Sequence, residues 1–206
     1  MIVIIDYGMG NLGSVQNMFK KVGYKSIISS DMDVINQATK LVLPGVGSFD
    51  YGMKKLEALG LASVIKCKVI EKKTPILGIC LGMQLLTLRS EEGEEKGLGL
   101  INAEVKRFDF EMEYKDLKVP HMGWNIAVIN KETILTNNML DQENRFYFVH
   151  SFYVKCKYTE DVLMRTEYGH GFDSGFNHEN IYGVQFHPEK SHKFGMQLMK
   201  NFAELA

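Results

Sequence analysis

The chain has 206 residues, of which 45% are hydrophobic and 24% charged, with a net charge of −1. This composition predicts a folded chain with a sizeable core and excludes disordered, collagen-like and coiled-coil proteins. The balanced charge, without a block of lysines or arginines, argues against nucleic-acid and membrane partners, and the longest apolar stretch, residues 75–86, is too short to span a bilayer. Three cysteines without a CxxC pair indicate neither a disulfide framework nor a metal site. We therefore expect a cytoplasmic protein without metal or cofactor.

Short apolar runs alternate with helical patterns in the first half of the chain. The spacing of apolar residues predicts one helix after the first run, another before the fourth run and a third after it. Because strands that alternate with helices pair in parallel, this half predicts a parallel sheet with helices on both faces. The predicted strands are 2–5, 25–29, 41–43 and 76–79, and the helical spacings are those of Leu12, Val15, Phe19 and Val22, of Leu61, Val64, Ile65 and Val69, and of 83–88.

The second half has shorter strand patterns. Residues 90–97, rich in glutamate and glycine, predict a solvated loop, and apolar spacing over 194–205 predicts a closing amphipathic helix. Together the two halves predict a single α/β domain over residues 1–206, with a mostly parallel central sheet, helices on both faces and a small antiparallel extension. The strand patterns of this half are 104–108, 125–129, 146–150, 152–155, 162–166 and 181–186.

The segment Gly78-Ile-Cys-Leu-Gly82 lies between a predicted strand and a predicted helix. A nucleophile at such a turn needs small neighbours, because the turn is tight and its backbone comes close to the adjacent chain. Gly78 and Gly82 meet this requirement, and the partial positive charge of a helix N-terminus favours the thiolate of Cys80. The motif indicates a nucleophilic Cys80, with an inert buried cysteine as the alternative.

The segment Val184-Gln-Phe-His-Pro-Glu189 closes the last predicted strand. A thiol nucleophile needs a base within hydrogen-bond reach and a third group that orients the base. His187 and Glu189 could supply both from one turn, with Pro188 fixing the backbone between them. Taken alone, His187 is also compatible with a structural role, but together with Cys80 it predicts a Cys-His-Glu triad at the ends of neighbouring strands.

A competing motif opens the chain. Gly8-Met-Gly-Asn-Leu-Gly13 matches the dinucleotide-binding pattern G-x-G-x-x-G, and Asp31 lies about 20 residues beyond it. A dinucleotide-dependent oxidoreductase would, however, leave Cys80, His187 and Glu189 without a role. The remaining interpretation is that these glycines only form the first strand-to-helix turn.

Six segments, in order and spanning nearly the whole chain, resemble the signature of one family. It is the class I, triad-type glutamine amidotransferases that serve as glutaminase subunits of imidazole glycerol phosphate synthases, and the resemblance implies a class I glutamine amidotransferase-like fold. The cysteine and His-Pro-Glu motifs are shared by the whole class, whereas the His-Met-Gly-Trp-Asn segment and the Pro-Gly-Val-Gly loop are typical of this subunit. The segments are Asp6-Tyr-Gly-Met-Gly-Asn11, Leu43-Pro-Gly-Val-Gly-Ser-Phe49, Gly78-Ile-Cys-Leu-Gly-Met-Gln84, Pro120-His-Met-Gly-Trp-Asn125, Tyr147-Phe-Val-His-Ser151 and Gln185-Phe-His-Pro-Glu-Lys-Ser191.

The resemblance implies a thioester mechanism. Cys80 would attack the side-chain amide carbon of glutamine, His187 would carry the proton to the departing ammonia, and Glu189 would hold the imidazole. Backbone N–H groups of Leu81 and of the Gly45-Val46-Gly47 loop would form the oxyanion hole. The glycines on both sides of Val46 would let that hole be completed only on activation.

The resemblance also implies ligand contacts and a partner. The residues expected around the glutamine substrate are Gly45, Gly47, Gln84, Ser151 and Phe152. The ammonia would pass to a (β/α)8-barrel cyclase subunit, the expected heterodimer partner, which makes imidazole glycerol phosphate in histidine biosynthesis. The residues expected at that interface and its ammonia passage are Asn11, His121, Met122, Gly123, Trp124 and Asn125. Trp124 lies in a loop-like segment, and the alternative is a core tryptophan that enters the strand at Asn125. His150 and Lys190 lie close to these motifs, and the sequence gives them no role.

Two other functions are compatible with some of these features. A paralogous glutaminase that feeds a sugar-aminating synthase for surface polysaccharide would share every motif. The segment Ser151-Phe152-Tyr153, where the family more often has Ser-Tyr, leaves the ammonia acceptor open. A non-enzymatic binding module with the same fold is disfavoured, because all three triad residue types are present.

Overall fold

A computed structural model describes residues 1–110, 116–139 and 143–205 of the chain. The α-helices are α1 Leu12–Lys21, α2 Met32–Asn36, α3 Phe49–Ala58, α4 Leu61–Lys66, α5 Leu81–Leu85 and α6 His192–Glu204. The strands of the first half are β1 Ile2–Ile5, β2 Ser26–Ser29, β3 Lys40–Gly45, β4 Ile76–Cys80 and β5 Arg89–Ser90. Those of the second half are β6 Ala103–Arg107, β7 His121–Ile126, β8 Val128–Ile129, β9 Arg145–His150, β10 Phe152–Cys156, β11 Val162–Tyr168, β12 His170–His178 and β13 Ile181–Val184.

Eleven of the described strands form one sheet, with neighbours in the order β2-β1-β3-β4-β13-β12-β10-β6-β5. The strands β2, β1, β3, β4 and β13 are parallel to one another. From β13 onward the pairing to β12, β10 and β6 is antiparallel, and β11 and β8 continue from β12. The strands β7 and β9 form a separate two-stranded antiparallel sheet. This topology confirms the mostly parallel α/β sheet with an antiparallel extension.

Helices cover both faces of the parallel strands, which explains why those strands read as continuous apolar runs. In β1, Val3 and Ile5 belong to the buried cluster that includes residues of α2, α3 and α4, whereas Ile2 and Ile4 belong to the cluster of α1 and α6. The hydrophobic core thus lies in two layers. The carboxyl ends of β3, β4 and β13 emerge between these layers at one edge of the sheet.

Two elements differ from the sequence expectation because their signals were weak. The helix α3 was not predicted, although Phe49, Met53 and Leu56 are buried at helical spacing. The strand β12 was not predicted either, because it contains glycines and the polar residues Asp173 and Ser174, which are poor strand formers. Neighbouring strands satisfy them: Asp173 accepts hydrogen bonds from Cys156 and Arg165, and Ser174 accepts one from Thr166.

The segment around Trp124 is a strand and not the expected loop, and the strand expected at 125–129 is divided between β7 and β8. Pro120 and Gly123 suggest a loop in the sequence, but pairing with β9 holds the segment extended from His121, opposite His150, to Ile126.

Other boundaries shift by a few residues. The helix predicted at 83–88 is α5 and ends earlier, the last strand ends at Val184, and the helix that begins at Leu61 continues into a π-helical turn, Cys67–Glu71. The closing helix is confirmed as α6. None of the helices in the described ranges has the length and apolarity that a membrane crossing requires.

Candidate active site

Cys80 occupies a strained turn between β4 and α5. Its φ of 54° and ψ of −113° lie in a region that L-residues rarely adopt, as is common where a nucleophile is held in place. A Cβ at Gly78 would lie 2.7 Å from Met83 Cα, and one at Gly82 would overlap the Leu43 carbonyl oxygen. The two glycines are therefore required by close backbone contacts, as the sequence motif predicts.

His187 and Glu189 follow β13, the strand that lies beside β4. Because Val184 pairs with Ile79 in parallel register, β13 and β4 both end at the same edge of the sheet. His187 Nδ1 lies 2.8 Å from Glu189 Oε1, and both side chains are only 3% exposed. The three residues predicted as a triad are thus brought to one edge of the sheet.

The electrostatics of His187 favour the charged imidazole. Burial opposes protonation of the ring, but interactions with Cys80 and Glu189 outweigh it and raise the pKa of His187 to about 10. His187 Nε2 is buried and makes no hydrogen bond within the described part of the chain. It is therefore free to exchange a proton with a thiol or a leaving group at the cavity.

Gln185 is a site residue that the sequence reasoning missed. Its Nε2 lies 3.8 Å from Cys80 Sγ, and its Oε1 accepts a hydrogen bond of 3.0 Å from Gln84 Nε2. Gln185 directly follows β13 and lies two residues before His187 in the Val184–Glu189 segment. Its place in the motif that also carries His187 and Glu189 was the available signal.

A cavity of about 350 Å³ lies beside Cys80 and His187. Gln84, Ser151 and Phe152 line it as expected for the substrate site, and Gln84 Nε2 also donates to the Phe152 carbonyl oxygen at 3.1 Å. The complete lining consists of Val46, Gly47, Cys80, Leu81, Gln84, Glu92, Pro120, Val149, His150, Ser151, Phe152 and His187.

The residues expected to form the oxyanion hole also meet at this cavity. Val46 and Gly47 follow β3, and Leu81 begins α5 next to Cys80. Gly45 pairs with Cys80 in the β3–β4 ladder, and a Cβ on Gly45 would lie 3.0 Å from Leu81 Cβ. Gly47 has a φ of +107°, which a residue with a side chain would adopt only under strain.

Glu92 was missed because it belongs to the acidic stretch read as a solvated loop. Its Oε2 accepts a hydrogen bond of 2.8 Å from the backbone N–H of Phe49, at the start of α3. Asp50 ties the same loop down by accepting from the N–H groups of Glu94 and Glu95. The loop is therefore anchored, and it presents one carboxylate to the cavity.

Strand alternation separates the residues expected at a partner interface. Met122 is 62% exposed and Trp124 is 44% exposed on the outer face of β7. His121 is buried and Asn125 lies on the same inner face of the strand, whereas Met122 and Trp124 share the outer face. Gly123 is half-buried between them, and Asn11 is the N-cap of α1, where its side chain accepts a hydrogen bond from Ser14 N–H.

The two residues without an assigned role lie near the site. His150 lines the cavity, and Lys190 Nζ lies 5.5 Å from the centre of the Tyr147 ring. Trp124 contacts the ring of His192 in a parallel stack, with centroids 5.3 Å apart.

The other two thiols are less reactive than a nucleophile requires. The hydrogen bond with Glu71 is the main factor that raises the pKa of Cys67, and burial is the main factor that raises that of Cys156. In both cases nearby carboxylates add to the effect.

The features that favoured a dinucleotide site have structural explanations. Asp31 caps α2, where its carboxylate accepts hydrogen bonds from the N–H groups of Asp33 and Val34. A side chain at Gly10 would press on Pro44 and Gly45 at 3.4 Å. Gly8 and Gly10, with φ of +81° and +101°, thus form the first strand-to-helix turn beside the end of β3, whereas Gly13 lies in α1.

Residues 3–205 match the family model described as glutamine amidotransferase class-I. The chain belongs to this family. Solved structures with the same fold include a putative GMP synthase protein from Thermoplasma acidophilum, with a TM-score of 0.72 and 20% identity over 98% of this chain and 90% of that one. PurLQS from Thermotoga maritima aligns with a TM-score of 0.72 and 18% identity over 98% of this chain and 96% of that one. At these identities the two structures support the fold alone.

Relatives with much higher sequence identity show which kind of family member this chain resembles. A Methanococcus maripaludis protein named imidazole glycerol phosphate synthase subunit HisH 2 is 55% identical over 206 residues, which is 100% of both chains. A Pseudomonas aeruginosa protein of the same name is 50% identical over 205 residues, and a Leptospira interrogans protein named imidazole glycerol phosphate synthase subunit HisH is 44% identical over 206, again over 100% of both chains. These relatives confirm the resemblance to glutaminase subunits of that synthase.

Proposed function

We propose that this chain hydrolyses glutamine to glutamate and ammonia, and that it supplies the ammonia to a cyclase subunit in the synthesis of imidazole glycerol phosphate for histidine. The observation that carries the proposal is the assembly of Cys80, His187 and Glu189 at one sheet edge, beside a cavity of about 350 Å³. The match over residues 3–205 supports a single glutamine amidotransferase domain.

The reaction has two halves. The Cys80 thiolate adds to the side-chain amide carbon of glutamine, and the resulting tetrahedral intermediate collapses as the C–N bond breaks. The His187 imidazolium gives its Nε2 proton to the departing nitrogen, which leaves as ammonia and leaves a glutamyl thioester. Neutral His187 then takes a proton from water, whose oxygen attacks the thioester to release glutamate and the thiolate. Glu189 holds Nδ1 throughout.

Stabilisation of the oxyanion falls to the backbone around the nucleophile. Leu81 N–H directly follows Cys80, and a second donor comes from the Val46-Gly47 segment at the same cavity. We propose that the peptide at Val46 reorients to complete the hole, because Gly45 and Gly47 flank it and Val46 itself is exposed. Glutamine hydrolysis then depends on the partner that induces this change.

Recognition of the free amino acid requires partners for its carboxylate and its ammonium group. We propose that the backbone at Ser151 and Phe152 binds the α-carboxylate end of glutamine, and that Gly47 also contacts the substrate in the same cavity, while Gly45 acts from behind the lining through its pairing with Cys80. Glu92 is the carboxylate that the described cavity lining offers to the α-ammonium group. Gln84 stabilises this arrangement because its Nε2 donates a hydrogen bond to the Phe152 carbonyl oxygen.

The proposal for the ammonia acceptor is based on the names of the similar proteins. The three similar proteins from Methanococcus, Pseudomonas and Leptospira carry the name of imidazole glycerol phosphate synthase, which favours the cyclase over a sugar-aminating synthase. We propose that the partner is a (β/α)8-barrel cyclase in the cytoplasm. It would dock over Met122 and Trp124, whose exposed apolar side chains are typical of a protein interface.

The test is glutamate release by Cys80→Ala in the presence of the cyclase partner. Loss of detectable hydrolysis is expected, while Cys67→Ala and Cys156→Ala serve as matched controls that keep the activity of the unmodified chain. Hydrolysis at an unchanged rate in Cys80→Ala would refute the proposed mechanism. Production of imidazole glycerol phosphate by the complex, with glutamine as the nitrogen source, tests the acceptor separately.

A further inference from the structure

Two buried histidines, His121 and His150, lie opposite each other in the β7–β9 sheet. His121 Nδ1 is 3.0 Å from His150 Nε2, and His150 Nδ1 is 2.8 Å from the carbonyl oxygen of Phe152. At the other end, His121 Nε2 is 3.2 Å from the side-chain nitrogen of Asn125. These groups form one chain of hydrogen bonds that runs from β7 to the wall of the cavity.

The two ends of this series of hydrogen bonds determine which ring nitrogens carry a proton, and they give the same answer. Since the Phe152 carbonyl can only accept, His150 carries its proton on Nδ1 and accepts at Nε2 from His121 Nδ1–H. At the other end, the Asn125 oxygen accepts from the N–H of Ile126 at 2.8 Å, and its Nδ2 donates to the Glu167 carbonyl oxygen at 2.9 Å. The remaining Nδ2 hydrogen points to His121 Nε2. Both rings are therefore neutral Nδ1–H tautomers.

The surroundings of the two rings keep them neutral. Burial lowers the pKa of His121 to about 4 and that of His150 to about 3, the latter with a contribution from the nearby His121 and His187 rings. The His121 ring also stacks on Tyr168, with centroids 4.0 Å apart. A proton added to either ring would set two N–H groups against each other or leave one facing no acceptor.

The Phe152 carbonyl receives two hydrogen bonds, one from His150 Nδ1 and one from Gln84 Nε2. Resting on the function proposed above, we infer that His121 and His150 are positioning residues: as an ordered pair they fix this carbonyl and, with it, the backbone at Ser151 and Phe152 that receives glutamine. They act through the peptide and not on the reacting atoms. The pair thereby links the inner face of β7 to the substrate site.

Steady-state glutamine hydrolysis by the complex with the cyclase partner tests this inference. His121→Phe keeps an aromatic ring in place but removes the donor to His150 Nε2, so the KM for glutamine is expected to rise about 10-fold, with kcat changed by less than about 2-fold. His121→Asn places an amide N–H near the position of Nδ1 and is expected to restore most of the KM.

A matched control is His170→Phe. His170 packs on Phe108 in the same aromatic cluster, with centroids 5.6 Å apart, and donates no hydrogen bond to the histidine pair within the described residues, so its replacement is expected to leave KM unchanged. An unchanged KM in His121→Phe, or an equal rise in His170→Phe, would overturn the positioning role. Where His121→Phe does not fold, the imidazole tautomers of the unmodified chain, measured by nitrogen NMR, test the same proton order.

Nitrogen NMR of the imidazoles in the unmodified chain supplies a readout that does not depend on activity. At pH 7 both rings are expected as neutral Nδ1–H tautomers, and a charged ring or an Nε2–H tautomer at either position would overturn the inference. A chain with these tautomers but no glutamine hydrolysis, even with the cyclase partner, would instead refute the proposed function. The two failures are therefore distinguishable.

Discussion

The carboxyl edge of the parallel sheet and the two-stranded β7–β9 sheet meet at the same cavity but are built by different means. At the parallel edge the backbone sets the geometry: Gly45 pairs with Cys80, and Gly82 packs against β3 without room for a side chain. In the β7–β9 sheet, side-chain alternation sets it, so that His121 faces inward and Trp124 outward.

This difference shows which part of a functional site can be predicted from a short sequence motif. A strand-to-helix turn is local, so a few adjacent residues define both the nucleophile and its backbone constraints. The faces of a strand depend on its register with a neighbour, and a shift of one residue would exchange them. Changes at the two places are therefore expected to have different consequences, on chemistry at the parallel edge and on binding in the β7–β9 sheet.

The largest effect is expected at the parallel edge, from His187→Asn. Removing the base of a triad costs about 10⁴-fold or more in kcat, and Glu189→Gln is expected to cost less because it only orients that base. Glutamate release in the presence of the partner measures both. An activity of His187→Asn within tenfold of the unmodified chain would show that this edge does not carry the chemistry.

A second effect involves both regions, because a partner docked on β7 would complete the oxyanion hole at the parallel edge. If the oxyanion hole is completed only when the partner is bound, the isolated chain lacks one donor, which is worth roughly 10²–10³ in rate. Turnover measured for the chain alone, with the partner, and with the partner plus the substrate that accepts the ammonia is expected to rise in that order. Three equal rates would show that Val46 does not gate hydrolysis.

A substitution on the outer face of β7 is expected to change the affinity for the cyclase and to leave the stability of the free chain unchanged. Trp124→Ala is expected to weaken association with the cyclase by about 30-fold, or about 2 kcal/mol, because large aromatic residues dominate many interfaces. Titration calorimetry measures this, and the melting temperature of the free chain should stay nearly unchanged. The control is Ile70→Ala, an exposed apolar residue in the π-helical turn after α4. Unfolding of the free Trp124→Ala chain would show that the tryptophan is a core residue.

The inner face of β7 is expected to give a dependence of stability on pH, which is the smallest of these effects when expressed per pH unit. The pKa values of His121 and His150 are about 4 and about 3 in the fold, against about 6.5 in an unfolded chain. As pH falls from 6.5 to 4, the unfolded chain therefore binds more protons, and the free energy of unfolding decreases by up to about 1.4 kcal/mol per pH unit for each ring. Urea unfolding at several pH values should show a slope that His121→Phe reduces by about one proton. An unchanged slope would contradict the burial of neutral rings.

Most of the parallel half was predictable from sequence. Apolar runs and glycine spacing are local, so β1, β4 and the turn at Cys80 could be placed, and the Val184–Glu189 segment put His187 and Glu189 at the end of β13. The strand β12 could not be placed, because its polar residues are buried only through pairing with strands distant in sequence. The hydrogen bond between His121 and His150 had no local signal either, since the two residues are brought together by the β7–β9 register. Glu92 looked like part of a charged loop, and only its tertiary contact with α3 turns it towards the cavity.

Site-specific labelling tests the central claim, that Cys80 is the nucleophile for glutamine, most directly. A diazoketone analogue of glutamine, incubated with the complex and followed by peptide mass spectrometry, is expected to form one covalent adduct on Cys80, and excess glutamine should suppress it. The raised pKa values of the Cys67 and Cys156 thiols predict little labelling there. An adduct on either of those cysteines, or labelling of Cys80 that glutamine does not suppress, would contradict the account.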